Sequence, residues 1–341
     1  MSEETATPTP VSLPDRSAWL SVVGVLEIIL GVLASGMVLL MLLGLVMGAA
    51  LGSRQAPGLD ARSILAGGGI YVLAAVFFIW MGIGTLKGRR WARGIMLAVS
   101  WMWLIGGILG GLIFVPNIGH IFDIQAPGAP PMPAAAKTLA TVFLAGFFFV
   151  FDLLLPGALT YFYSRTDVRD TFKRRDPHPR WTDRCPLPVL VVSLAFGGGA
   201  LSSVFGVFYG VAPFFGAILT GAPAGALMLL LALALAFLCV QVYRQRPIGW
   251  YGALALVTLA GISQVITFLH HDIADLYRAM GYEGEMLQMM EQAARAMTIN
   301  IPLLTVIFYG LAVIFLIYLR RFFEFPSKPT PAPAESAQAT P

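Results

Sequence analysis

A chain of 341 residues in which 57% are hydrophobic and only 12% charged falls well short of the roughly 25% charge of soluble domains, which excludes an ordinary globular fold. The formal net charge of +4 suits nucleic acid at first sight. The basic residues, however, flank apolar runs, where the bias of membrane proteins toward Lys and Arg on the cytoplasmic side accounts for them without a nucleic-acid partner.

Residues 1–15 are proline-dotted, carry no export signal and read as a disordered N-terminal tail. Eight apolar runs follow, at about 18–50, 64–86, 94–115, 138–164, 187–219, 225–243, 250–270 and 298–322, each enough for the roughly 20 residues that a bilayer crossing needs. Runs without period-2 alternation satisfy their backbone in lipid only as helices. The expected fold class is therefore an all-α integral membrane protein with eight transmembrane helices.

An even number of crossings puts both termini on one side, and the positive charge chooses which. With both termini cytoplasmic, the inner segments hold 17 of the 22 basic residues, among them TLKGRRWARG (85–94) and VYRQRPIGWYG (242–252). Trp91 and Trp250, beside those basic runs, are expected to sit as interfacial anchors at headgroup level. Arg outnumbers Lys 18 to 4, which points to a GC-rich bacterial genome and hence to the inner (plasma) membrane. Cys185 and Cys239 fall on the reducing side, where no disulfide is expected.

The two halves echo each other. Each opens with a long apolar segment, continues through a second helix, a basic hairpin with Trp and a third helix, and closes on a helix with Tyr just before its first terminal Arg (YFYSR from 161, IYLRR from 317). Copies with an even number of crossings share one orientation. The expected organisation is a first four-helix repeat at 16–164, a basic cytoplasmic linker at 165–184, a second four-helix repeat at 185–325, and a disordered C-terminal tail at 326–341. Small residues spaced four apart, Gly106 with Gly110, Gly107 with Gly111, and Gly198 with Ser202 and Gly206, mark expected helix contacts.

Two acids interrupt the apolar runs, Glu27 and Asp152, where a central carboxylate costs roughly 2.5 to 3.5 kcal/mol. Glu27 shares a helical face with Gly24, Gly31 and Ser35, aiming it at a neighbouring helix. Counted from the inner helix ends, the two acids lie within a turn of one another in depth and are expected to face each other, or else to bond Ser100, Tyr71 or a backbone carbonyl. Pro156 lacks the N–H that would bond the carbonyl of Asp152. Carboxylate and bare carbonyl together suit a cation or a water chain.

At the outer side, His120 with Asp123, and His270 and His271 with Asp272 and Asp275, follow the third and seventh helices. Imidazole with carboxylate suits a divalent metal, and polar capping of helix ends is the alternative. Beyond them Met286, Met289, Met290, Ala293, Ala294 and Met297 form one stripe of an amphipathic helix near 281–297, lying on the membrane or capping the bundle. No nucleophile, P-loop or zinc-ribbon spacing is present, so no enzyme and no resident cofactor is expected. The leading functional expectation is an interaction or assembly subunit, with membrane proteins and the lipid bilayer as partners. The second is a proton- or cation-linked small-solute transporter using Glu27 and Asp152; a metal-dependent membrane enzyme ranks third.

Overall fold

The computed structural model describes residues 15–50, 67–122, 132–296 and 300–323; the tails read from sequence, 1–15 and 326–341, lie outside them except for Asp15. Among the described residues eight helical spans are long and apolar enough to cross a membrane, and the chain is a polytopic helical membrane protein. In order they begin with α1 (Ser17–Ala50), α2 (Gly69–Leu86) and α3 (Arg90–Ile121). The fourth span joins α4 (Ala134–Phe148), a π-helical turn (Phe149–Leu154) and α5 (Leu155–Ser164). The short α6 (Thr166–Arg175) leads to α7 (Leu187–Gly206), a hairpin of β1 (Val211–Phe214) and β2 (Ala217–Thr220), α8 (Ala222–Tyr243) and α9 (Pro247–His270). Two short helices, α10 (Ile273–Ala279) and α11 (Gly284–Ala296), precede α12 (Ile301–Leu319).

The packing order repeats along the chain. In the first half α1 lies against α2 and α3 against α5; in the second α7 lies against α8 and α9 against α12, and the halves meet mainly through α3 and α7. Lipid offers no hydrophobic drive for such pairing, so close backbone approach must supply it. Gly24 and Gly31 let α1 reach the Gly82 and Ala75 carbonyls of α2, and a Cβ built at Gly82 would stand 2.6 Å from the Gly24 carbonyl oxygen. Of the spacings read from sequence, Gly107 and Gly111 do face a neighbour, the fourth span, whereas Gly106, Gly110 and Gly198 have nothing within reach. Spacing alone does not say which of two adjacent glycine rows a helix turns inward.

The two basic hairpins have the same backbone. Gly88 (φ +61°) and Gln245 (φ +55°) take the left-handed conformation. Gly88 N–H donates to Thr85 O and Arg89 N–H to Gly84 O, as Gln245 N–H donates to Val242 O and Arg246 N–H to Gln241 O. Both are Schellman stops, which satisfy the last helical carbonyls. Glycine occupies the strained position in one and glutamine in the other. Gln245→Gly is therefore expected to stabilise the protein by about 1 kcal/mol, read as a rise in its thermal midpoint in detergent. A fall would show that the Gln245 side chain contributes more than its backbone costs.

The chain between the halves is a docked cap. Val168 and Phe172 of α6 are buried with Leu20, Met96 and Tyr163. Asp176, 2% exposed, takes two hydrogen bonds of 2.9 Å from Arg180 and one of 3.3 Å from the first N–H of α3, at Arg90. A carboxylate there also meets the positive end of the helix dipole. Asp167 accepts from Arg165 and from Arg16, the latter at 2.8 Å, and these guanidiniums, Arg165 first, hold its carboxyl well below the usual carboxylate range. Arg180 lowers Asp176 in the same way. A depressed native pKa adds stability that is present above the ordinary carboxylate pKa and is lost as pH falls toward the lowered value. The thermal midpoint is expected to decline below pH ~4, and less steeply in Asp167→Asn; an equal slope in the variant would remove Asp167 from the account.

The fifth apolar run, drawn from sequence to residue 219, ends earlier. Gly210 turns left-handed (φ +65°) and the hairpin begins, with Val211 opposite Thr220 and Phe214 opposite Ala217. Both turn residues, Phe215 (φ +43°) and Gly216 (φ +86°), have positive φ, as a tight turn compatible with strand twist requires. Their N–H groups donate to Ser263 and Thr267 of α9 at 2.9 and 3.0 Å. Side chains on a neighbouring span thus hold the hairpin turn, a contact invisible to hydropathy.

Candidate functional site

Glu27, about three turns into α1, is fully buried, and so are Thr85 and Tyr163. The Tyr163 hydroxyl donates to Glu27 Oε1 at 2.5 Å, and lies 2.9 Å from Thr85 Oγ1, which completes the chain by donating to the tyrosine. A single polar thread therefore ties α5, α1 and α2. Glu27 Oε2 is enclosed with no hydrogen-bond partner among the described residues. Leu20, Met81 and Met96 share a buried apolar cluster with Tyr163, and in such low-dielectric surroundings a hydrogen bond is electrostatically stronger than in water.

Asp152 lies elsewhere. It occupies the π-helical turn of the fourth span, half-buried, and its Oδ1 accepts the indole N–H of Trp103 on α3 at 3.2 Å. Pro156, the second residue of α5, supplies no N–H, and the ladder slips to a longer register in which Leu155 N–H reaches Val150 O. The released backbone faces α3: a Cβ at Gly107 would collide with the Asp152 carbonyl oxygen. The expected coincidence of carboxylate and carbonyl is present, but it is turned into a helix contact.

The two acids do not face one another. Glu27 is level with Tyr163, which follows Asp152 by eleven residues in the same span, about 16 Å at helical rise. The depth estimate from helix ends fails because α1 begins level with α6, whose Asp167 binds Arg16, so Glu27 is nearer the basic end than a count of apolar residues suggests. The alternatives Ser100 and Tyr71 are not its partners; Ser100 bonds the Leu97 carbonyl of its own helix. Tyr163 was visible in sequence only as the repeated tyrosine before a terminal arginine.

At the other end, Asp272 and Asp275 form a capping box at the start of α10, each accepting the other's backbone N–H. His271 Nε2 lies 3.2 Å from the Gly216 carbonyl and its Nδ1 3.4 Å from Asp275, while His270 Nδ1 lies 2.8 Å from Ile266 O in its own helix. His120 lies in the last turn of α3, and Asp123 is outside the described residues. Asp272 and Asp275 are engaged in capping, and among the described residues no three His, Cys, Asp or Glu side chains are grouped to hold a metal ion. Arg278 joins Asp275 to Glu291, linking α10 to α11. On α11, Met286, Met289, Met290, Ala293 and Ala294 are half-buried and Gln288 and Gln292 exposed, while Met297 is outside the described residues.

Trp250 is 7% exposed and donates its indole N–H to the Leu316 carbonyl of α12 at 2.7 Å, which makes it a peg between helices. Trp91 is half-buried over Gly84, its ring 4.8 Å from that of Trp80. Counted from the matched residues Arg89 and Arg246, the two fall at different positions of α3 and α9, so one turns inward and the other sideways.

The chain matches no protein-family model, no curated protein and no solved structure.

Proposed function

We propose that this is a non-enzymatic interaction or assembly subunit of a bacterial inner membrane, built from two tandem four-helix repeats of one orientation with both termini cytoplasmic. One observation carries the functional part: each intramembrane acid is spent on a hydrogen bond between helices, about 16 Å apart along the bundle, in the manner of polar groups that fix packing in membranes. The repeat draws support from the common packing order of the halves and from the two Schellman hairpins with matched hydrogen bonds. The orientation rests on the 17 basic residues at one end.

A proton- or cation-linked carrier is the second reading. In its favour stands the π-helical turn at Asp152, since such turns recur at functional sites. Reconstitution of the full chain into liposomes with an entrapped pH dye separates the two. Unchanged internal pH under an imposed gradient, in wild type and Asp152→Asn alike, is the expected result; flux that Asp152→Asn or Glu27→Gln abolishes would replace the first reading with the second. A reporter inserted within 116–137 is expected to be extracytoplasmic, and a cytosolic reporter would invert the orientation.

A further inference from the structure

Between α1 and α5, at the basic end of the bundle, lies a groove of about 320 Å³. Its walls are apolar, with Val23 and Leu26 on one side and Leu155 and Ala158 on the other, and Arg16 and Arg165 stand at its mouth. We propose that this groove binds one anionic phospholipid, one of its acyl chains along the helix cleft and its phosphate on the two guanidiniums.

The charge at the mouth fits that occupant. Arg16 and Arg165 share a single carboxylate, Asp167, so the trio keeps one net positive charge. Asp167 receives the Nε–H of Arg16 and one fork of Arg165. It orients both guanidiniums, and guanidinium recognises phosphate through paired donors. Arg16 is anchored a second time, through its backbone N–H to Thr171 Oγ1 at 3.3 Å. Trp19 and Tyr161 flank the opening, 55% and 67% exposed, and the Tyr161 ring lies 5.8 Å from the Arg165 guanidinium carbon. Amphipathic rings in such positions mark the headgroup level of a bilayer. Basic pockets between helices at that level suit anionic headgroups.

The second half supplies a contrast. A groove of similar size, about 370 Å³, runs between α9 and α12, lined by residues such as Thr258, Ile262 and Tyr309, and no charged side chain is part of it. An acyl chain alone suits that cleft, and nothing there distinguishes one lipid from another.

The test uses the full-length protein in a neutral detergent, titrated with dioleoyl phosphatidylglycerol or dioleoyl phosphatidylcholine, with bound lipid counted by native mass spectrometry. The one net positive charge of that trio predicts about five-fold more retained phosphatidylglycerol than phosphatidylcholine. The preference is expected to fall to near parity in Arg165→Gln. Ala158→Trp, which places an indole in the groove about two helical turns from Arg165, is expected to cut phosphatidylglycerol retention by a similar factor, and it serves where Arg165→Gln does not fold. Equal retention of the two lipids by the wild type overturns the proposal, and so does a preference that either folded variant leaves unchanged.

Discussion

Gly82→Val is expected to destabilise the protein by about 3 kcal/mol, the largest effect of any single substitution foreseen here. The new Cβ would stand 2.6 Å from the Gly24 carbonyl oxygen and 3.0 Å from the backbone N of Ile28. Backbone atoms of a packed helix cannot swing aside as a side chain can, so α1 and α2 must separate along their length and lose dispersion contacts on both sides. Gly106→Val is the matched control, because nothing lies within 4 Å of a Cβ there. That change should be neutral or slightly stabilising, since valine is the better helix former. Thermal or denaturant unfolding of the purified proteins measures the difference, and equal midpoints for the two variants would dismiss the glycine seam between α1 and α2.

Tyr163→Phe follows, with an expected loss of about 1–3 kcal/mol. Interhelical hydrogen bonds in membranes average only ~0.6 kcal/mol, because the separated helices find other partners. Here one hydroxyl serves two others: its removal strips Glu27 Oε1 and Thr85 Oγ1 together, in a place where all three residues are fully buried. Leaving a buried polar group unmatched costs more than the bond itself contributes. Adding Glu27→Leu to Tyr163→Phe should therefore recover part of the loss, a non-additivity that a double-mutant cycle reads directly. Additive losses, or a Tyr163→Phe protein as stable as the wild type, would show that the thread does not hold α5 to α1.

Much of the architecture was legible because hydrocarbon is a strict solvent. All eight spans coincide with apolar runs, most ends agreeing within about four residues, and the amphipathic α11 (Gly284–Ala296) appears where its methionine stripe put it. The departures have local causes. Gly210 and the paired positive φ values at Phe215 and Gly216 turn the end of an apolar run into a hairpin, which hydropathy reads as more helix. The stretch 165–184 looked like a charged linker because its arginines dominate composition, although Val168 and Phe172 carry its packing.

The candidate site was legible by residue type and illegible by partner. Sequence singles out Glu27 and Asp152, since carboxylates in apolar runs are costly enough to need a reason. Which group answers each of them depends on how α1, α3 and the fourth span rotate and slide against each other. Tyr163 and Thr85 meet Glu27, and Trp103 meets Asp152, through contacts between residues 49 to 136 positions apart in the chain.

The sequence by itself determined that this chain resides in a membrane, how many times it is able to cross, and which residues are too polar to face lipid, because each of these follows from transfer free energies that act residue by residue. Tertiary structure alone decided that the two acids work apart, that the basic stretch between the halves is a docked cap, and that Trp250 points inward. Those outcomes depend on the relative rotation and offset of packed helices, which many distant contacts fix together and no single segment encodes.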